Sequence, residues 1–134
     1  MAVNDAEQTL QGMLARAGLP VPEWHKQISL GKPLGTTSPD AFFAGDENEP
    51  GTVIYLDGLS AGIHGSPETQ AKDYTIRTAL RGQGFEVIEI AASDLSDKAA
   101  MTTHFFRLAK AILGREEAKV IREKPEWYDA VDAN

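Results

Sequence analysis

The sequence predicts an α/β sandwich, in which helices pack on a small mixed sheet in the order α-β-β-β-α-β-α. Residues 53–56 are an unbroken apolar run, Val-Ile-Tyr-Leu, which is typical of a strand buried on both faces. A helical pattern follows over residues 68–82, and a second apolar strand pattern follows over residues 85–90. A strand, a helix and a strand in succession favour a right-handed crossover with parallel pairing.

Composition restricts the classes of function. The chain has 134 residues, 13 Lys and Arg against 20 Asp and Glu, and a formal net charge of −7. Proteins dedicated to nucleic-acid binding depend on basic phosphate contacts, and this acidic chain lacks them. The charge still allows a nuclease that binds DNA weakly, uses metal ions to offset its own carboxylates, or relies on a partner to hold the DNA. The chain has no cysteine, which excludes disulfides and thiolate chemistry and fits a reducing cytosol. No apolar stretch approaches the ~20 residues of a membrane span, and we expect a cytoplasmic protein.

The first helix is predicted over residues 4–17. Apolar residues at i, i+3, i+4 and i+7 form one stripe there: Leu10, Met13, Leu14 and Ala17. Asn4 can cap this helix, and Glu7 then occupies the third position, where a carboxylate completes a capping arrangement. That structural role is the simplest explanation of Glu7.

Three strands are expected next. Residues 24–30 alternate imperfectly, residues 38–43 begin with a proline that an initial strand position tolerates, and the apolar run at 53–56 is the third strand. The acidic turn over residues 44–51 is long enough for a hairpin between the second and third strands. This hairpin places Asp40 and Asp57 in the same small sheet.

The second half of the chain is predicted to form a glycine-rich loop and further helices. The loop, residues 59–67, contains His64, and the long helix over residues 94–113 carries one apolar face that ends at Gly114. A short helix is predicted over residues 116–123, followed by an acidic tail. We therefore expect one domain over residues 1–114, with a short C-terminal helix and tail over residues 115–134.

Three polar residues converge in this arrangement. Asp57 ends the central strand and Gly58 permits a sharp departure, although Asp-Gly is also a common turn dipeptide. Asp40 begins the neighbouring strand, and His64 lies in the loop that follows. Two carboxylates and a histidine can hold Mg²⁺ or Mn²⁺ and position water for attack on a phosphate, and Glu7 can approach from the first helix.

Other polar features have simpler interpretations, and several motifs are missing. Asp73 and Arg77 are four residues apart on the second helix and predict an exposed ion pair. His104 is predicted on the solvated side of the long helix. The sequence has no GxxxxGK[ST] and no GxGxxG after a strand, which excludes the corresponding nucleotide-binding sites.

These residues resemble the PD-(D/E)XK nuclease superfamily. The similarity rests on a few motifs: Pro39-Asp40, Ile54-Tyr55-Leu56-Asp57-Gly58, His64, Asp73 and Gly84-Phe85-Glu86-Val87-Ile88. Within the superfamily, the sequence is most similar to the branch of the very-short-patch-repair endonucleases. Residues 57–97 also resemble C-terminal modules of bacterial DEAD/DEAH-type helicases.

The resemblance implies a restriction-endonuclease-like fold and a metal-dependent DNA endonuclease that works with a helicase partner. In that scheme Asp57 is the principal metal ligand, Asp40 is the second, Glu7 is the acid of the first helix and His64 lies near the scissile phosphate. The chain departs from the superfamily pattern because Tyr55 stands where an acid is often found and Asp57 stands where a lysine is expected. Lys72 and Lys26 are the candidates to replace that lysine. The alternative hypothesis is a catalytically inactive nuclease-fold module that docks a protein or a nucleic acid.

Overall fold

The computed structural model describes residues 5–58 and 66–129. The described residues form the following elements, in chain order: α1 (Asp5–Arg16), β1 (Glu23–Trp24), β2 (Ile28–Gly31), β3 (Gly35–Thr37), β4 (Ala41–Ala44), β5 (Gly51–Asp57), α2 (Pro67–Gly82), β6 (Glu86–Ala91), a 3₁₀ helix (Ala92–Ser96), α3 (Lys98–Ile112), α4 (Arg115–Glu123) and α5 (Glu126–Asp129). The fold is mixed α/β, as the sequence predicts.

The main sheet has four strands in the order β1-β4-β5-β6. Strands β4 and β5 are antiparallel neighbours joined by the acidic turn, whereas β5 and β6 are parallel neighbours joined by α2. The predicted parallel pairing across the second helix is therefore confirmed. Strand β5 lies inside the sheet, and its residues from Gly51 to Leu56 are all buried.

The two faces of the sheet carry separate apolar clusters, because successive side chains on a strand point to opposite faces. Ile54 and Leu56 of β5 pack in the larger cluster, which also receives residues of α1, α3, α4 and α5. Val53 and Tyr55 pack on the other face, against Ile76 and other residues of α2. The sheet is thus covered by α2 on one face and by the remaining helices on the other.

The prediction of one continuous strand over residues 24–30 is wrong. Its two ends belong to different sheets: β1 pairs with β4, whereas β2 pairs with β3 in a separate two-stranded sheet. His25 interrupts the strand because its φ of 60° lies in the left-handed region, which does not continue an extended backbone. The imperfect alternation over residues 24–30 reflects this break.

The predicted long helix over residues 94–113 also divides. Residues 92–96 form the 3₁₀ helix, and Asp97 separates it from α3 with an extended backbone, at φ −116° and ψ 102°. The Asp97 carboxylate accepts a hydrogen bond from the N–H of Ala100 and caps α3. A short acidic side chain favours such a cap over an interior helix position.

The C-terminal helices pack on the core. The Trp127 ring stacks on Phe105 with 4.4 Å between ring centroids and 11° between ring planes. The Trp127 indole N–H donates to the carbonyl of Ile121 at 3.0 Å, and the Nε–H of Arg16 donates to the Trp127 carbonyl at 2.9 Å. Residues 115–129 therefore complete the larger apolar cluster.

Every helix over the described ranges is too short or too polar to cross a lipid bilayer.

Candidate metal site

Glu7, His25 and Asp40 lie together beside the β1 end of the sheet. Glu7 is on α1, His25 directly follows β1 and Asp40 directly precedes β4. Pairing of β1 with β4 brings the last two together, because the N–H of His25 donates to the carbonyl of Asp40 at 3.1 Å. Asp40 is fixed from its other side by the backbone N–H of Leu56, which donates to Oδ2 at 2.7 Å.

The three side chains converge on one point. Each offers one nitrogen or oxygen atom, and these atoms all lie within 4.8 Å of one another. His25 Nε2 and Glu7 Oε2 are 2.6 Å apart. The Glu7 side chain is only 1% exposed, whereas that of His25 is 35% exposed, so the cluster meets solvent on the His25 side. We call these three residues the Glu7–His25–Asp40 cluster.

The surroundings of Asp40 in the cluster make its carboxyl a weaker acid than an ordinary aspartate. The pKa of the Asp40 carboxyl is raised from an ordinary value of 3.8 to about 6, chiefly by burial, and the hydrogen bond from Leu56 opposes this rise. The hydrogen bond and the negative charge of Glu7 also contribute to the rise, whereas the charge of His25 acts to lower the pKa of Asp40. A divalent cation between these groups would favour the ionised form of Asp40 and relieve the repulsion between the two carboxylates.

The donor set fits a divalent cation. Two carboxylates are the ligands that Mg²⁺ and Mn²⁺ accept most readily, because both are hard, oxygen-seeking cations. The imidazole nitrogen of His25 adds a softer donor, which the later divalent ions of the first transition series prefer to Mg²⁺. Glu7 and Asp40, which the sequence predicts as neighbours in one site, are brought together by the structure.

Asp57 is oriented toward a different partner. Its two oxygens accept hydrogen bonds from Nη1 and Nη2 of Arg77 at 2.7 and 2.8 Å. Arg77 is only 9% exposed, donates also to Glu89 at 2.6 Å and lies over the Tyr55 ring at 4.1 Å from its centroid. Arg77, Asp57, Glu89 and Tyr55 thus form a network at the C-terminal ends of β5 and β6, which we call the Arg77 network.

The predicted site residues therefore have different outcomes. Asp57 is not a member of the Glu7–His25–Asp40 cluster, and its role as principal metal ligand stays a prediction. His64 lies outside the described residues. His25 was not among the predicted site residues, because no pattern in residues 24–30 shows that the backbone turns at this position. Histidine is enriched among residues with positive φ, but that preference does not identify the position.

Two structural interpretations are corrected. Arg77 is not in a simple exposed ion pair with Asp73: the two groups are 4.0 Å apart, and Arg77 binds Asp57 and Glu89 more closely. His104 is not a solvated surface residue, because its Nε2 lies 2.9 Å from Asp94 and its side chain is mostly buried. Both side chains hold neighbouring elements together.

The two lysines that the sequence offers for the superfamily position have ordinary surroundings. Lys26 lies 3.5 Å from Glu23 and 5.7 Å from the centroid of the Phe42 ring. Lys72 is an exposed residue of α2. Neither is within the Glu7–His25–Asp40 cluster.

No protein-family model, curated protein or solved structure matches the chain.

Proposed function

We propose that this domain is a divalent-metal-dependent phosphodiesterase that acts on DNA, with its metal site at the Glu7–His25–Asp40 cluster. The proposal is supported above all by the convergence of these three side chains within 4.8 Å beside a sheet of the predicted kind. The similarity of the Pro39-Asp40 and Tyr55-Leu56-Asp57-Gly58 motifs to PD-(D/E)XK nucleases indicates the substrate class and a restriction-endonuclease-like fold.

Each residue of the cluster has a distinct part in this proposal. Asp40 presents its carboxylate at a fixed place, because the N–H of Leu56 holds Oδ2. Glu7 holds a second carboxylate deep in the site, where water has little access. His25 is the partly exposed side chain, at the side from which a DNA phosphate would approach. Mg²⁺ or Mn²⁺, held by these residues, would neutralise the phosphate and lower the pKa of a bound water.

The charge of the chain indicates a partner. At a formal net charge of −7, the domain repels DNA, so binding by the isolated domain would be weak. We propose that a helicase or another DNA-binding protein brings the substrate to the site. The similarity of residues 57–97 to helicase-associated modules supports a partner of this class.

The test is metal-dependent cleavage of supercoiled plasmid, single-stranded DNA and mismatched duplex by the purified chain. We expect nicking with Mn²⁺ or Mg²⁺, none with EDTA, and loss of nicking in Asp40→Asn. Asp46→Asn, in the exposed acidic turn, is the matched control and is expected to keep the activity. Equal nicking by the unmodified chain and by Asp40→Asn would refute the proposal.

The second candidate is a catalytically inactive module with a nuclease-like fold that docks a protein partner. The Arg77 network favours it, because both oxygens of Asp57 are engaged by Arg77. This candidate predicts that neither Mg²⁺ nor Mn²⁺ binds at millimolar concentration. Calorimetric titration of the chain with each ion separates the two candidates.

A further inference from the structure

His25 is the one nitrogen donor of the Glu7–His25–Asp40 cluster, and its position is set by the backbone. Its φ of 60° turns the chain out of β1, and its N–H is held by the carbonyl of Asp40. The ring then reaches Glu7, with Nε2 only 2.6 Å from Oε2. The fold thus fixes an imidazole nitrogen beside two carboxylates, one of which is fully buried.

The present spacing is that of a hydrogen bond, and it is close to the spacing of two ligands on one ion. Adjacent ligands of an octahedral ion, at about 2.1 Å from the metal, are about 3 Å apart. Nε2 and Oε2 would need to separate by only a few tenths of an ångström to share an ion. His25 is partly exposed, so its ring has room for this movement.

We propose that His25 is a metal ligand and that it makes this site select Mn²⁺ over Mg²⁺. Mg²⁺ is a small, hard ion that prefers oxygen ligands and retains its waters, so an imidazole adds little to its affinity. Divalent transition ions gain more from an imidazole nitrogen, and Mn²⁺ is the member of that series closest to Mg²⁺ in its use of carboxylates. The inference rests on the metal site of the proposed function and goes beyond it by identifying which ion the site prefers and which residue determines that preference.

The test uses Mn²⁺ as the probe and detects the ligand nitrogen directly. Electron spin-echo envelope modulation of Mn²⁺ bound to the unmodified chain should show coupling to a ¹⁴N nucleus. The chain has three histidines, so His25→Gln, His64→Gln and His104→Gln form a complete panel. The ¹⁴N modulation should disappear in His25→Gln and persist in the other two variants.

Calorimetry of the same proteins gives the selectivity. The unmodified chain should bind Mn²⁺ at least about tenfold more tightly than Mg²⁺, and His25→Gln should lose most of this difference while its Mg²⁺ affinity changes by less than about threefold. Circular dichroism of each variant verifies that it is folded.

The outcomes separate this inference from the proposed function. Mn²⁺ binding without ¹⁴N modulation, or modulation that disappears only in His64→Gln, would overturn the role of His25 and leave a metal site of carboxylates. Equal loss of Mn²⁺ and Mg²⁺ affinity in His25→Gln would overturn its role in selectivity. The absence of Mn²⁺ binding to the unmodified chain would overturn both the inference and the metal-dependent function.

Discussion

Replacing Arg77 with leucine should destabilise the fold by an amount that the Arg77 network allows us to estimate. The substitution removes two hydrogen bonds to Asp57 and one to Glu89, all charge-assisted, together with the packing of the guanidinium on Tyr55. Breaking a fully buried ion pair costs about 3–5 kcal/mol, because the remaining charge cannot reach water. Here the carboxylates that remain, Asp57 and Glu89, are 41% and 43% exposed and can be hydrated.

The expected loss for Arg77→Leu is therefore below that range, at about 2–3 kcal/mol in the free energy of unfolding. For a chain of this length, this corresponds to a decrease of roughly 10 °C in Tm. Arg81→Leu is the matched control: Arg81 is 44% exposed and lies 3.2 Å from the same Glu89. An exposed pair of this kind is worth less than about 1 kcal/mol.

The pH dependence gives the prediction a second readout. Burial acts to raise the pKa of Glu89, but the hydrogen bonds and charges of Arg77 and Arg81 lower it below its ordinary value. A carboxylate whose pKa is lowered in the folded state stabilises the fold above its unfolded pKa, and this stabilisation is lost as the pH falls through the lowered value. The deficit of Arg77→Leu should therefore shrink in acid, below a pH of about 4.

Urea and thermal unfolding from pH 3 to pH 8, followed by circular dichroism, measure both effects. A Tm for Arg77→Leu within about 2 °C of the unmodified chain would refute the energetic role of the network. Equal losses for Arg77→Leu and Arg81→Leu would show that burial of the guanidinium does not matter.

Three further substitutions test other parts of the structure. Burial raises the pKa of Asp40 to about 6, so the Asp40 contribution to stability is present in acid and lost as the pH rises through 6. Asp40→Asn should therefore unfold like the unmodified chain near pH 4. At pH 8 it should be more stable than the unmodified chain, by at most about 3 kcal/mol. A difference in urea unfolding that does not change with pH would contradict this. Trp127→Ala should lower the free energy of unfolding by about 3–5 kcal/mol because the buried indole stacks in the core. Val120→Ala, at an exposed position, should lower it by less than about 0.5 kcal/mol. Similar Tm values for the two variants would contradict this. Tyr55→Phe should cost about 1–2 kcal/mol in urea unfolding because it removes the 2.8 Å hydrogen bond between the buried hydroxyls of Tyr55 and Thr37, and unchanged stability would show that water replaces this bond.

Local pattern was sufficient for the centre of the fold. The four apolar residues over 53–56 predict a buried strand, and the strand-helix-strand order predicts its parallel pairing with β6. Two interruptions of the predicted elements could not be read from the pattern in the same way. The break at His25 depends on a single backbone angle, and the division of the long helix depends on whether the Asp97 carboxylate caps a helix or lies within one.

The candidate site was also predictable only in part. Glu7 and Asp40 can be placed in one site from their positions on the first helix and the second strand, and the structure brings them together. His25 joins them only because β1 pairs with β4 and the chain then turns. Similarly, the spacing of Asp73 and Arg77 suggests a local ion pair. The actual partners of the Arg77 guanidinium are Asp57 and Glu89, which lie on two other elements.

The most direct test of the metal site is calorimetric titration of Mn²⁺ into the unmodified chain, Asp40→Asn and Asp57→Asn. We predict that Mn²⁺ binds the unmodified chain and Asp57→Asn with similar affinity, because Asp57 is bound to Arg77, and that Asp40→Asn does not bind it. Binding that is lost in Asp57→Asn and retained in Asp40→Asn would contradict this account and place the metal at the end of β5.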